Sequence, residues 1–486
     1  MTIAFDNTYA RLPPRFYARV APTKVREPRI IRVNHALAAL LGIDVHELTA
    51  AMLSGNVVPE GADAVALAYA GHQFGSFVKQ LGDGRAILLG EVVGTDGKRR
   101  DLQLKGAGRT PFSRGGDGRA ALGPVLREYV LSEAMAALGV PTTRALAAVT
   151  TGETVVRDEV QPGAVFTRVA ASHIRVGTFE FFAERDDREA LTALAGYSLR
   201  RHYPHAAGGP NDGLALLECV IDAQARLIAR WMGVGFVHGV MNTDNTSISG
   251  ETIDYGPCAF LDEYDPNKKF SSIDHGGRYA FANQPRIAQW NMARLAEALL
   301  PIIGGDEAES VRLATEQLDR FPALFEAAHA AVLRAKLGLQ RAEEEDLALA
   351  ADLFERLTSS GVDFTVFFRR LCSAAADPAA DASVASLFPR AELFTDWAKL
   401  WRSRLATESV AADARARAMR LVNPAFIPRN HRVEEVIQAA VRDADFKPFE
   451  TLVQVLERPY EDQPELAHLA EPPKPDERVS HTFCGT

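Results

Sequence analysis

The chain has 486 residues, of which 47% are hydrophobic and 24% are charged. These values are typical of globular proteins and exclude a largely disordered or fibrous chain. Acidic residues outnumber basic ones by 63 to 54, and the net charge of −9 argues against a protein that mainly coats nucleic acid or anionic lipid. At about 150 residues per domain, the length corresponds to roughly three domain-sized units.

Cysteine content and hydropathy predict the compartment. The four cysteines are scattered and none belongs to a C-x-x-C pair, which argues against a disulfide framework and a structural zinc site. The first residues lack the apolar core of a signal peptide, and no segment approaches the roughly 18 consecutive apolar residues of a membrane helix. We therefore expect a protein of the reducing cytoplasm, with neither nucleic acid nor a membrane as a partner.

Glycine divides the chain into two regions. Of its 36 glycines, only Gly338, Gly361 and Gly485 lie after residue 305. Glycine supports turns, strand ends and the close approach of backbone to ligands, whereas the later region is rich in Ala, Leu, Glu and Arg, which favour helices. The composition predicts a mixed α/β front region and a helical rear region.

Along the front region, short periodic segments alternate with turn signals. Residues 76–93 predict two strands joined by a Gly-Asp-Gly turn, and residues 99–106 alternate leucine with polar residues in a third strand. A helical apolar face runs from Pro124 to Gly139. The remaining predicted elements are a helix around 34–42, strands at 144–151 and 164–170, and helices at 187–202 and 212–232.

A first group of residues has the order of a phosphate site. Gly82, Gly84 and Arg85 lie in the predicted turn, Lys105 ends the third strand, and Glu128 lies on the next helix. Backbone N–H groups of a glycine turn can approach phosphates closely, a strand lysine supplies a point charge, and a helical glutamate can hold that lysine. Each element alone also fits a hairpin with an exposed lysine and a surface glutamate.

The segment 238–262 carries a second group. Protein kinases contain H-R-D-x-x-x-x-N followed by D-F-G, whose asparagine and second aspartate hold Mg²⁺. His238 and Asn245 have that spacing, and an Asp-Tyr-Gly triplet begins at Asp254. Val240 occupies the position of the kinase base and cannot accept a proton, whereas Asp244 places a carboxylate directly before Asn245. The alternative is a turn that happens to hold Asp, Asn and Gly, which turns favour.

These segments resemble the selenoprotein O family, the kinase-like protein adenylyltransferases. The resemblance covers most of the chain and is carried by AYAGHQFGSFVKQLGDGRAILLGE, DLQLKGAGRTPFSRGGDGRAALGPVLREY, FTRVAASHIRVGTFE, GFVHGVMNTDNTSISGETIDYGPCAFLD and NPAFIPRNHRVEEVI. It implies an α+β protein with a two-lobed protein-kinase-like fold and an α-helical C-terminal extension. The implied divisions are an N-terminal extension at 1–60, an N-lobe at 61–170, a C-lobe at 171–305 and, at 306–486, a helical extension with a flexible cysteine-containing tail.

The resemblance also implies the activity, which is transfer of AMP from ATP to Ser, Thr or Tyr hydroxyls of proteins with release of pyrophosphate. ATP would bind in the reverse of the kinase orientation, with Mg²⁺ or Mn²⁺, and UTP is a further candidate donor. Asp244 would accept the proton, and Asn245 and Asp254 would hold the metal. The implied nucleotide contacts are Gly82, Gly84, Arg85, Lys105 (positioned by Glu128), Asp117, Gly118, Arg168 and Arg175.

Two other functions and one cysteine remain open at this point. A phosphotransferase would bind ATP in the ordinary kinase orientation, and a non-catalytic pseudokinase scaffold would explain Val240 but not the retained metal ligands. Cys484 matches the position where selenium-containing members of the family carry selenocysteine. A disulfide between Cys484 and Cys258 is therefore a hypothesis, and its alternative is an idle tail cysteine.

Overall fold

The computed structural model describes residues 3–482 of an α+β protein that is 47% helical and 15% strand. Cys484 lies outside the described residues, so its pairing with Cys258 stays a prediction. The described strands β1 to β12 are, in order, Tyr17–Arg19, Arg29–Val33, Val65–Leu67, Gly71–Gln73, Ser76–Val78, Ala86–Val93, Arg99–Lys105, Ala120–Ala121, Arg144–Val156, Val160–Ala170, Phe236–Val237 and Ala259–Phe260.

The helices fall in both regions and dominate after residue 170. The described helices α1 to α16 are, in order, His35–Leu41, Ala50–Leu53, Leu122–Ala137, Val176–Ala183, Arg188–His202, Asp212–Gly233, Gln284–Ile303, Glu307–Leu318, Phe321–Leu337, Asp346–Ser360, Phe364–Ala376, Asp381–Ala385, Glu392–Ala406, Ala412–Arg420, Asn430–Asp443 and Lys447–Leu456. The predicted helices around 34–42, 124–139, 187–202 and 212–232 are confirmed as α1, α3, α5 and α6. Among the described helices, none is both long and apolar enough to cross a membrane.

One antiparallel sheet has the strand order β1-β3-β6-β7-β10-β9-β2, and β8 also pairs with β10. The segment before residue 61 supplies both edge strands, β1 and β2. Strand β7 lies between β6 and β10, where Lys105 stands opposite Ala86 on one side and Phe166 on the other. The inner strands therefore fix the position of Lys105 from both sides.

The prediction of a hairpin over 76–93 is wrong in its pairing. Both strands exist, but β5 pairs with β4 in a separate two-stranded sheet, whereas β6 pairs with β3 and β7. Residues Gly82 and Gly84 thus lie in a loop that connects two sheets. The sequence pattern identified the strands but not their partners, because pairing depends on residues outside the segment.

Helix α6 is the central element of the helical part and packs against α5, α7 and α9. Two short strands beside it, β11 and β12, pair with each other and close the loop 238–258. This loop carries both Asp244 and Asp254. A second apolar core, centred on stacked Trp397 and Trp401, lies farther along the chain.

Candidate active site

An ionic cluster forms where the sheet, α3 and the loop 238–258 meet. Lys105 Nζ lies 2.5 Å from Glu128 Oε2 and 3.1 Å from Asp254 Oδ1. Arg168, on β10, places Nη1 2.6 Å from the same Asp254 oxygen and 3.2 Å from Glu128 Oε1. Arg175 completes the group, with its Nη1 3.2 Å from Asp254 Oδ2. We call these five residues the Asp254 cluster.

Asp254 is held in an uncommon backbone conformation. Its φ is +63°, in the left-handed region that non-glycine residues rarely adopt. Burial works to raise the pKa of its carboxyl, but Arg168, Lys105 and Arg175 outweigh that effect and hold the pKa well below its usual range. The side chain is therefore an ionised carboxylate at neutral pH, aimed at three cations.

Asp244 has a different environment. Gln73 Nε2 donates to its Oδ2 at 3.0 Å, while the buried Oδ1 accepts no hydrogen bond from any residue in the range 3–482. Burial raises the pKa of Asp244 to about 6, and Gln73 and Arg175 oppose the rise. Arg175 Nη1 also donates to the main-chain oxygen of Asp244 at 2.8 Å, which ties this residue to the Asp254 cluster.

The β4–β5 hairpin, residues 71–78, lies directly against Asp244. A Cβ atom on Gly71 would come within 2.7 Å of Asp244 Oδ1, so only glycine allows the strand to pass this close. The main-chain N–H of His72 donates to Thr243 Oγ1 at 2.7 Å, and His72 Nδ1 lies 2.5 Å from Glu180 on α4. The hairpin is thus fixed to the loop at Thr243 and to α4 at Glu180, next to the Asp244 carboxylate.

Asn245 fits the expected metal role. Its Nδ2 donates to Val240 O at 3.1 Å, and within the described residues its Oδ1 accepts no hydrogen bond. An amide oxygen and an ionised carboxylate, here Asp254, are the hard donors that Mg²⁺ and Mn²⁺ prefer. His238 Nε2 donates to Ile253 O at 2.9 Å and so links this part of the loop to the residue before Asp254.

The predicted nucleotide glycines pack two loops together. Gly82 has a φ of +78°, and a Cβ there would lie 2.4 Å from the ring of Phe112. A Cβ on Gly84 would lie 2.9 Å from Phe112 O. Gly106 N donates to Arg85 O at 2.7 Å, which joins the loop that follows β7 to the loop that precedes β6.

Asp117 and Gly118 lie in the loop between β7 and β8 and make no described hydrogen bond or ion pair with the Asp254 cluster. Asp117 makes a two-point ion pair with Arg157, at 2.9 and 3.0 Å. Gly118 is packed so closely on Gly108 that a Cβ would lie 2.1 Å from its backbone. Among the described contacts, those of Asp117 are with its own loop and with the β9–β10 connection. A role at the nucleotide stays a prediction for both residues.

Four further residues complete the site and were not predicted. Asp83 is buried between the two predicted glycines and accepts from Leu67 N at 3.2 Å. Gln103 accepts a hydrogen bond from Arg168 Nη2 at 2.6 Å. The ring of Tyr69 lies under the Arg175 guanidinium, and Gln73 donates a hydrogen bond to Asp244. Of the four, only Gln103 could have been predicted from the sequence. It lies two residues before Lys105 on the same strand, and residues two apart on a strand point to the same face.

The site combines three cations, hard oxygen ligands and a carboxylate with one unpaired oxygen. These are groups that can support nucleotidyl transfer. A family model described as protein adenylyltransferase SelO matches residues 1–457. Relatives named protein nucleotidyltransferase YdiU are 61% identical in Methylorubrum populi and 60% identical in Rhodopseudomonas palustris, each over 99% of both chains. The chain belongs to the SelO family of protein adenylyltransferases, and the expectation of a nucleotidyltransferase is confirmed.

Proposed function

We propose that this protein transfers AMP from ATP to Ser, Thr or Tyr hydroxyls of other proteins and releases pyrophosphate. The acceptor oxygen forms a new bond to the α-phosphorus, and the bond between that phosphorus and the β-phosphate bridging oxygen breaks. The acceptor proton passes to a base. The family description and the names of the relatives support the nucleotidyl group as the one transferred.

The observation that carries the proposal is the state of Asp244. Its carboxylate is buried, its Oδ1 has no partner among residues 3–482, and its pKa of about 6 leaves it ionised at neutral pH. A base needs an ionised oxygen that can take the proton of the acceptor hydroxyl. Asp244 supplies such an oxygen, unpaired among the described residues and covered by the hairpin at Gly71, whereas Val240 at the usual kinase base position supplies none.

The cations of the Asp254 cluster bind the phosphates. Lys105, Arg168 and Arg175 converge on one carboxylate. Arg168 is bonded through all three guanidinium nitrogens to Gln103, Glu128 and Asp254, so it adds positive charge, whereas Lys105 and the unpaired Nε of Arg175 are the groups with N–H left for phosphate oxygens. Charge on the α-phosphate and on the departing pyrophosphate rises during transfer, and prearranged cations in a buried site stabilise it. Glu128 holds Lys105 in place through its 2.5 Å contact.

Asn245 and Asp254 would hold the divalent cation, Mg²⁺ or Mn²⁺. When bound, the ion neutralises phosphate charge and withdraws electrons from the phosphorus. Both ligands are oxygen donors that do not discriminate sharply between the two ions. UTP is a second donor nucleotide in this proposal, because the contacts identified so far address phosphates rather than the base.

We further propose a two-lobed, kinase-like arrangement in which ATP lies between the sheet and the helical part. The Asp254 cluster draws on both, since Lys105 and Arg168 come from the sheet and Asp254 comes from the loop beside α6. The base, Asp244, then requires the α-phosphate to point toward the loop. We place the activity in the cytoplasm, which the low cysteine content supports.

Labelled ATP tests the proposal directly. The protein is incubated with a mixture of bacterial proteins and ATP that carries ³²P at either the α or the γ position. Label on protein from α-labelled ATP alone is the expected result. Label from the γ position alone would make the protein a kinase, and nucleotide binding without transfer of either label would make it a scaffold.

A further inference from the structure

Helix α3, which carries Glu128, is enclosed from two sides. Its apolar residues belong to one core that includes the sheet residues Ala148 and Phe166 and the C-terminal residues Val436 and Phe449. The sheet, through β9 and β10, and the pair α15–α16 therefore both pack on the same helix. A helix that packed on the sheet alone would have fewer contacts to hold its position.

The contacts with the C-terminal helices extend along the whole length of α3. At its beginning, a Cβ on Gly123 would lie 2.9 Å from Ile437 of α15. In the middle, the ring of Tyr129 meets that of Phe449 edge to face, with 5.4 Å between the centroids. Just past its end, Tyr460 donates to Leu138 O at 3.0 Å.

Arg127 adds an ionic contact next to the functional residue. It is 4% exposed, and its Nη2 forms an ion pair with Glu434 on α15. Its Nη1 donates to Cys258 O at 3.4 Å, in the loop that carries Asp254. One guanidinium therefore connects α3, α15 and the loop 238–258.

The structure assigns a positioning role to the Arg127–Glu434 ion pair, which holds α3 so that Glu128 stays on Lys105 and Arg168. The C-terminal helices thereby act as a permanent clamp on the lysine–glutamate contact that kinase-like sites need in place for catalysis. Removing the half-buried Glu434 leaves the buried Arg127 guanidinium without its carboxylate and shifts its surroundings. The inference rests on the proposed function only for its activity measurement.

The next residue on α15 provides a matched control. The exposed Glu435 forms an ion pair with Arg432 on its own helix, at 2.8 Å, and has no described ion pair with α3. Glu434→Ala and Glu435→Ala make the same chemical change one residue apart. We expect Glu434→Ala to lower kcat about 5-fold or more with the KM for ATP within about 2-fold, and Glu435→Ala to leave both unchanged.

Hydrogen–deuterium exchange tests the positioning without any assumption about activity. In Glu434→Ala, peptides of α3 should exchange at least about 3-fold faster, while those of α6 should keep their wild-type rates. Equal exchange of α3 in wild type and Glu434→Ala would overturn the inference, even in an inactive protein. Absence of α-label transfer by the wild type would instead refute the proposed function and leave this measurement valid.

A charge exchange separates positioning from general loss of structure. Arg127→Glu alone brings two carboxylates together and should lower kcat more than Glu434→Ala. The double variant Arg127→Glu with Glu434→Arg restores opposite charges, and we expect it to recover at least about half of the logarithmic loss in kcat. A double variant no better than Arg127→Glu, at equal melting temperature, would also refute the clamp.

Discussion

Two buried ionic clusters in this protein look alike in composition but differ in whether every carboxylate oxygen in and beside them has a hydrogen-bond or ion-pair partner. The first joins the sheet to α5, and we call it the Arg201 cluster. Arg201 bonds Glu91 at 2.7 Å and Asp101 at 2.5 Å. Glu91 also accepts from Tyr9 N, and Asp101 accepts from both N and Nδ1 of His173. Every carboxylate oxygen in this cluster has a partner.

The site around Asp244 is incomplete by comparison. Asp244 Oδ1 is buried without a partner among the described residues, and so is Arg175 Nε. Native proteins pair nearly all their buried polar atoms, so an unpaired carboxylate oxygen beside the Asp254 cluster is a candidate contact for a bound group. Among the described residues both places hold an unpaired nitrogen, since His173 Nε2 is also buried without a partner, so the difference between them lies in the carboxylate oxygens.

The first prediction exchanges each kind of carboxylate for an amide. Asp244→Asn should lower α-label transfer about 10²- to 10⁴-fold, because the variant has no base, and should keep its melting temperature and ATP affinity. Asp101→Asn should instead lower the melting temperature, because Arg201 loses one of its two carboxylate partners. Transfer by Asp244→Asn at the wild-type rate would remove Asp244 from the mechanism.

The second prediction breaks the saturated cluster. Arg201→Met leaves the buried Asp101 without its guanidinium and leaves Glu91 with only Arg99, at 3.5 Å, and we expect a loss of about 3–5 kcal/mol in the free energy of unfolding. The control is Arg312→Met, which removes an exposed pair with Glu309 and should have little effect on stability. Urea denaturation measures both. Equal losses in the two variants would show that the Arg201 cluster adds no more than a surface pair.

The third prediction concerns a buried cation with no carboxylate at all. Lys336 is 2% exposed, and its Nζ lies 4.2 Å from the ring centroid of Phe368 and 5.0 Å from that of Phe364. Burial lowers the pKa of Lys336 to about 7, and the Cys372 thiol opposes the shift. An unfolded lysine titrates near 10.5, so between those values the unfolded chain carries one more proton and stability rises with pH.

Lys336→Met removes this penalty. We expect a gain of about 2 kcal/mol at pH 6, where folded and unfolded lysine are both charged, and a smaller gain at pH 9. Melting temperatures at the two pH values measure the trend. The exposed Lys399, replaced by Met, is the control for the loss of a lysine charge at the surface. A gain from Lys336→Met that does not depend on pH would assign the effect to packing alone.

The sequence predicted the parts of the site that lie within single elements. The alternation of 99–106 places Lys105 on a strand, the apolar face of 124–139 places Glu128 on a helix, and both elements are confirmed. The structure brings these two residues together with Asp254, Arg168 and Arg175, as the kinase-like order suggests. Their roles in catalysis stay predictions.

What the sequence could not predict are contacts between distant segments. Strand β5 pairs with β4 rather than with β6. Helix α3 packs against α15, and their ion-paired residues Arg127 and Glu434 are 307 positions apart in the sequence. A periodic pattern shows that a face is buried but not what covers it. Gln73 was missed for the same reason, since nothing near it in sequence points to Asp244.

The final prediction tests how closely the hairpin sets the position of Asp244. Gly71→Ala would place a methyl group 2.7 Å from Asp244 Oδ1, and either the strand or the carboxylate must move. A displacement of a fraction of an ångström in a base costs rate before it costs stability, so we expect about a 10-fold loss in kcat with little change in melting temperature. Gly209→Ala is the control, because that Cβ would meet no atom within 4 Å. If Gly71→Ala were as active as Gly209→Ala, the hairpin would not constrain the base.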